Sequence, residues 1–218
     1  MNRTATDLIA ELLKDPVRFQ NEGQANVLLQ CFFHGEPVER LSCLLRSNDQ
    51  SIQHSAIFIA SEIGERSRPI IYDIIHLLSS RDRYIRYHAM ESVAVCAVAD
   101  LAGLYSYIVE MLDNEDDILR NLAMDLMSRA DPLQLEAARR HFQAGHHQSE
   151  VHVHGLSMLE AALQADFAEI EMMIKGEIPL ARKYGAIAAK RLLLGAPALM
   201  RAVEVSDDPD LRDFWKEV

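Results

Sequence analysis

The chain has 218 residues, 49% of them apolar and 25% charged, with a formal net charge of −11. That balance excludes a disordered chain and predicts a globular one with a sizeable core, and it argues against a phosphate-backbone ligand, which needs clustered Lys and Arg. No apolar run approaches the roughly 18–20 residues that span a bilayer, and the amino end carries Asp7 and Glu11 inside its apolar pattern, so neither a secretory signal nor a membrane anchor is expected.

Sustained period-two alternation is absent, and Val and Ile fall at three- and four-residue spacings, so helices carry the fold. A template of an acid, an apolar residue three further on and a small residue seven further on recurs along the chain. It reads Asp49, Ile52, Ala56, then Asp82, Ile85, Ala89, then Asp116, Leu119, Ala123, then Glu150, Val153, Ser157, at steps of 33, 34 and 34 residues. Upstream, Pro16, Phe19 and Gly23 keep the phase beside Asp15; downstream, a shorter-spaced copy centres on Ala186 and a last one begins at Asp208. The acid suits a helix start, where a carboxylate meets orphan backbone N–H groups and the positive end of the helix dipole. Each copy therefore opens the first helix of a pair. Second helices are expected at 37–46, 69–79, 101–112, 132–142, 167–174 and 197–205, several opening on proline, whose missing N–H costs nothing in a first turn. The three cysteines, Cys31, Cys43 and Cys96, sit in apolar helical contexts and in no metal-ligand spacing, which predicts core thiols in a reducing cytoplasm.

A lone helix pair cannot cover its own apolar stripe, so the pairs must stack. The expected fold is all-α, a right-handed α-solenoid of about six helix pairs in one domain over 1–218. Its repeats run roughly 15–47, 48–80, 81–113, 114–145, 149–175 and 178–206, with a capping helix at 207–218.

The runs Asp82-Arg83-Tyr84-Ile85-Arg86-Tyr87-His88-Ala89 and Asp116-Asp117-Ile118-Leu119-Arg120-Asn121-Leu122-Ala123 resemble the HEAT-repeat signature, an aspartate before an apolar-arginine pair and a small residue. Leu211-Arg212 repeats the pair, whereas Gln53 and His154 replace the arginine and the fifth unit is short. The resemblance implies that Arg86, Arg120 and Arg212 bond with Asp82, Asp116 and Asp208 or with the acid of a neighbouring repeat. It also implies that the second helices line a concave binding face. Off their apolar stripes, that face would present Asp73, His76, Tyr107, Glu110, Glu136, Arg139 and Arg140, followed by Glu169, Arg201 and Glu204. Asp113 joins the candidates from an acidic stretch that also holds Asp100, Glu115, Asp116, Asp117, Asp125 and Asp131. Tyr107 is the best anchor, a large contact area at low entropic cost.

Signals for chemistry are weak. His141, His146, His147, His152 and His154 fall within 14 residues, but His152 and His154 are two apart on a helix and point to different faces, so solvated histidines are expected rather than a metal site. Asp113-Asn114-Glu115-Asp116-Asp117 lacks the glycine and the distal glutamate of a calcium loop. There is no G-x-S-x-G, P-loop, G-x-G-x-x-G or H-E-x-x-H, so no catalytic residue and no cofactor are expected. These features together point to a non-catalytic module that binds a basic protein, in its sharpest form an immunity or inhibitor protein that covers a basic, nuclease-like bacterial toxin. A scaffold is the second class. An enzyme like the HEAT-type DNA glycosylases or phycobilisome lyases is the third, and the acidic charge and single Trp215 speak against it.

Overall fold

A computed structural model describes residues 3–145, 149–161, 167–192 and 197–216. The chain divides into two compact units, Met1–Cys96 and Ala97–Val218, the boundary falling inside the third predicted repeat, 81–113. The described residues form no strand, and none of their helices is long and apolar enough to cross a membrane.

The amino-terminal unit comprises α1 (Ala5–Lys14), α2 (Pro16–Asn21), α3 (Gln24–Phe33), α4 (Ser42–Leu45), α5 (Gln50–Glu62), α6 (Ile71–Ile75) and α7 (Arg83–Cys96). Thr4 and Asp7 make a reciprocal capping box on α1, whose Ala5, Leu8, Ile9 and Leu12 are buried at helical spacing. The predicted cap acids act as caps. Asp15 accepts from Arg18 N, Asp49 from Ser51 N and Ile52 N at 2.8 and 3.2 Å, and Asp82 from Ile85 N at 3.0 Å. The template's apolar and small columns, Ile52 with Ala56 and Ile85 with Ala89, are buried where α5 packs on α7. Gly23 departs from the expected phase: its φ of +68° ends α2 and starts α3, a left-handed turn that glycine enters without steric cost. The second helices are wound more tightly than the sequence predicts. Residues Val38–Leu41 precede α4 as 3₁₀ helix, and Gly64–Ile70 and His76–Ser79 flank α6 as 3₁₀ helix, with Pro69 inside the first of these. Gly64, at φ +60°, closes α5 and turns the chain into that segment. Of the cysteines only Cys96 is fully buried, where burial pushes its thiol up to about 11; Cys31 is half-buried and Cys43 exposed, because it faces outward from the four-residue α4.

The carboxy-terminal unit comprises 3₁₀ segments Ala99–Tyr105 and Met111–Asp113 around α8 (Ser106–Glu110), then α9 (Asp117–Ser128), α10 (Pro132–Gln143), α11 (Ser149–Glu160), α12 (Phe167–Lys175), α13 (Pro179–Arg191), α14 (Pro197–Glu204) and α15 (Pro209–Lys216). Its organising element is α13. Seven consecutive residues, Lys183 to Ala189, are buried, as required of a helix covered on every side, and α13 lies against α9, α11, α12, α14 and α15. Small residues allow this approach. A Cβ at Gly155 of α11 would stand 2.2 Å from the Tyr184 ring, and one at Gly185 would stand 2.9 Å from Ile174 of α12. The fourth template copy is displaced: α11 buries His152, Gly155, Leu156 and Leu159, leaving Val153 half-buried and Ser157 exposed. In the last copy Leu211 and Trp215 are buried as the register requires.

Long cations of this unit serve carbonyl groups. Arg191 Nη1 donates to Met127 O, Ser128 O and Ala130 O at 2.9–3.2 Å, satisfying the open end of α9, and Lys183 Nζ donates to Leu112 O at 2.6 Å. Arg120 does not bond Asp116, whose carboxylate is taken by Ile118 N; it grips Asp210 of α15 with two bonds of 2.7 Å. Arg212 likewise turns to a carbonyl, Ser206 O at 3.2 Å.

Candidate functional site

Charge is divided unequally between the units. The amino-terminal unit has 12 Asp and Glu against 10 Lys and Arg, the carboxy-terminal unit 21 against 12, so nine of the eleven net negative charges belong to the latter. Two of its cations, Lys183 and Arg191, are turned inward onto carbonyl groups, while Arg120 and Lys190 are paired with Asp210 and Asp125.

Three of the predicted contact residues form one exposed line. Tyr107 (37% exposed), Glu110 and Asp113 follow at three-residue spacing along α8 and the 3₁₀ turn after it, while Tyr105, Ile108, Val109 and Leu112 face the core. On α10, which packs against α8, Glu136 pairs with Arg140, and Arg139 Nε reaches Glu160 Oε1 at 2.8 Å. These three charges are therefore already engaged with neighbours. In the amino-terminal unit His76 is exposed, but Asp73 is not a surface group: it is 8% exposed and accepts from Arg46 Nε at 2.6 Å, because it lies on the side of α6 turned toward α4.

Behind Asp113 lies a buried polar array. His152 Nδ1 stands 2.8 Å from the Tyr184 hydroxyl, its ring stacks on Phe142 at 4.5 Å, and its Nε2 is 3.8 Å from Asp113 Oδ2. Burial lowers the pKa of His152 against the opposing pull of Asp113, so the imidazole is held neutral, and burial raises Tyr184 well above the ordinary phenol value. Burial also lowers Lys183, which Asp210 opposes; burial raises Asp210, but its bonds from Arg120 outweigh that and leave it below the usual carboxylate range. The array joins α9, α11, α13 and α15. His152 and His154 face apart as predicted, the latter exposed near Glu169, but His152 is buried rather than solvated, because Tyr184 and Phe142 enclose its ring. His146 and His147 lie outside the described residues, among which no three His, Cys, Asp or Glu side chains converge as a metal site.

A feature that the pattern reading missed sits on the amino-terminal unit. Gln20, Asn26, His54, Ser55, Phe58 and Tyr84 line a cleft of about 300 Å³. The His54 and Tyr84 rings are 4.8 Å apart, Tyr84 and His88 4.4 Å, and Phe58 meets His88 edge-on at 6.0 Å. His88 Nδ1 lies within 3.1 Å of Ser61 Oγ and Glu91 Oε2, and His54 Nε2 is 3.1 Å from Asp82 Oδ1. Tyr84 is 42% exposed, and burial followed by the charges of Glu62, Asp82 and Glu91 raises its phenol above the ordinary value. A signal for the cleft existed in the repeat: Gln20, His54 and His88 are spaced at 34 residues, as are Gln50 and Tyr84. A larger hollow of about 440 Å³ near the amino end is lined by charges of both signs that largely pair with one another, as Arg3 does with Glu11 and Arg18 with Glu22.

No family model and no curated protein matches the chain. Among solved structures, an engineered protein is 14% identical, with 98% of this chain and 96% of that chain covered and a TM-score of 0.51. A second engineered protein, 14% identical over 83% of this chain and 94% of its own, gives 0.45, and a designed armadillo repeat protein, 13% identical over 83% and 97%, gives 0.43. The likeness is one of fold: the chain is an all-α solenoid of helical repeats.

Proposed function

We propose that the chain is a non-catalytic, HEAT-type protein-binding module whose acidic carboxy-terminal unit docks a basic protein. The observation that carries this reading is the exposed line Tyr107, Glu110 and Asp113, an aromatic anchor followed by two carboxylates, on the unit that holds nine of the eleven net negative charges. Opposite fields steer such partners together, and a half-exposed tyrosine supplies contact area that a charge alone does not. The three free thiols suit a reducing cytoplasm. The sharper form of the proposal is an inhibitor that covers the active surface of a basic, nuclease-like toxin, a polyanion-like face in place of the substrate; a scaffold is the broader form.

Affinity capture with mass spectrometry tests the reading, run in parallel with the double variant Tyr107→Ala, Glu110→Lys and at rising salt. A basic protein captured by the wild type, lost on the double variant and weakened by salt supports it. Capture that survives both changes overturns it. Gel filtration separates the two forms: an inhibitor gives a closed stoichiometric complex, a scaffold a larger assembly.

A further inference from the structure

We propose that His152 gates the acidic line of the carboxy-terminal unit: a proton taken up by its buried imidazole pairs with Asp113 from the inner side and loosens the hold of that line on a basic partner. The proposal rests on the docking role given above to Tyr107, Glu110 and Asp113, and adds its regulation.

One carboxylate belongs to two settings. Asp113 closes the exposed line that starts at Tyr107, with its side chain 58% exposed, yet its Oδ2 stands 3.8 Å from Nε2 of the buried His152 imidazole. The frame around this contact is fixed. Lys183 Nζ donates to Leu112 O at 2.6 Å, which ties the turn carrying Asp113 to α13, and the missing Cβ of Gly155 lets α11 lie directly on Tyr184 of the same helix. On the other side of the ring, Nδ1 is 2.8 Å from the Tyr184 hydroxyl. In the neutral imidazole, a hydroxyl that donates to Nδ1 puts the ring's own proton on Nε2, toward Asp113; in the imidazolium both nitrogens donate and the hydroxyl accepts. The ring keeps a partner on each side in both states, so uptake of a proton changes the charge behind Asp113 rather than the packing.

The groups packed around the ring leave Asp113 as the charge that answers it. From α10 comes the Phe142 ring, stacked at 4.5 Å, with His141 beside it; from α13 come Tyr184 and Lys183, the latter 3.7 Å from Asp210. Arg139 of α10 is paired with Glu160 at the far end of α11. On α11 itself Glu150 is exposed and His154 lies by Glu169 of α12. Burial holds the His152 imidazole below the ordinary histidine value, against the pull of Asp113. It is therefore neutral where Asp113 serves a partner, and it takes up its proton only below about pH 6.5, a range in which ordinary carboxylates, titrating near ~4, are still ionised. A partner's cation at Asp113 and a proton on His152 compete for one carboxylate, so by linkage each lowers the affinity for the other by the same factor.

The test is titration of the whole protein with capped hexa-arginine, which has no group titrating between about pH 5 and about pH 8. Fluorescence of the buried Trp215 confirms the fold at each pH. From about pH 7.5 to about pH 5.5, affinity should fall in the wild type and in His154→Gln, an exposed control, by about threefold more than in His152→Gln, the size of one solvent-facing charge pair. Two-dimensional NMR of the histidine Cε1–H signals reads the reciprocal effect: saturating peptide should lower the His152 pKa in the wild type and leave it in place in Asp113→Asn, a surface change that by itself lowers it. Equal pH slopes in the wild type and His152→Gln, or a His152 pKa that the peptide leaves unmoved in the wild type or moves equally in Asp113→Asn, overturns the gate while the docking line stands. If His152→Gln fails to fold, the NMR comparison decides alone. If the double variant Tyr107→Ala, Glu110→Lys binds the peptide as tightly as the wild type at about pH 7.5, where His152 is neutral and takes no part, the docking line itself falls and the gate with it.

Discussion

The two units solve one packing problem differently. In the amino-terminal unit the repeat register holds: cap acids at Asp15, Asp49 and Asp82 start helices, and the buried columns Ile52–Ala56 and Ile85–Ala89 meet where α5 packs on α7. In the carboxy-terminal unit α13 is enclosed by five neighbouring helices, and its charged side chains must find partners inside. A helix in a stack can leave its cations in water, whereas an enclosed one must give them carbonyls and carboxylates, as Lys183 and Arg191 show. The enclosed arrangement thus spends Lys183 and Arg191 on internal carbonyls, and neither is left to offset the exposed carboxylates that the proposed function uses.

The sharpest way to break this contrast is to remove an internal partner. Asp210→Ala leaves Arg120 unpaired between α9 and α15 and should cost about 3 kcal/mol, the low end for a buried pair because both groups keep some solvent. Trp215, the single tryptophan, is buried on α15 and reports unfolding of this unit directly. An unchanged urea midpoint by tryptophan fluorescence would mean that the pair carries no weight. The sign with pH follows from the depressed carboxyl: its contribution is full above the ordinary aspartate value of ~3.9 and is lost as pH falls through the lower folded value. Next in size is Gly155→Ala. On an open helix face this exchange stabilises by about 1 kcal/mol, but here the new methyl meets the enclosed Tyr184 ring, and a loss of about 1–3 kcal/mol is expected. A gain would show that α11 and α13 are not in such close contact.

How much of this was legible in the sequence follows from what each pattern measures. Acids before apolar-small columns report local helix starts, which is why Asp49, Asp82, Asp116 and Asp208 were read as caps and act as caps. The same columns report burial only where the neighbour lies where the repeat puts it. At Glu150, Val153 and Ser157 the phase survives in the residue types, yet α11 buries His152, Leu156 and Leu159, because Tyr184 of α13 sets the contact. A tight 3₁₀ winding cannot be read from apolar spacing either, since three- and four-residue spacings fit both helix types. Among the candidate contacts, the line Tyr107, Glu110 and Asp113 followed from periodicity alone. Asp73 did not, since its burial depends on Arg46 of the preceding repeat. The ring cleft carries a weaker signal: His54 and His88 recur at 34 residues, but Gln20 stands at that position one repeat earlier and Gln50 at the position of Tyr84, so no column of one residue type runs through it.

Milder changes sharpen the contrast further. His152 is held neutral by its burial beside Tyr184, so its folded pKa lies below the ordinary value of ~6.5. The stability it contributes is full above that value and is lost as pH falls through the folded one. The wild type should therefore lose urea resistance in the carboxy-terminal unit below about pH 6.5, and His152→Gln, which keeps a partner for the Tyr184 hydroxyl, should flatten that slope. An identical pH profile in both would place the titration elsewhere.

The smallest expected effects lie in one segment, Ala99–Tyr105, where two residues stand in each other's preferred places. Ala99 adopts φ +51°, the left-handed region that costs an L side chain about 1–2 kcal/mol, while Gly103 is helical with open space around its missing Cβ. Ala99→Gly should relieve strain in the folded chain, by about 1 kcal/mol. Gly103→Ala should act on the unfolded chain, by about 0.4–1 kcal/mol. The sites differ in mechanism and share no contact, so the double variant should gain nearly the sum. A double variant no more stable than either single one would show that the segment bends to accommodate the first change, and that its conformation, unlike that of the enclosed α13, is not fixed by its neighbours.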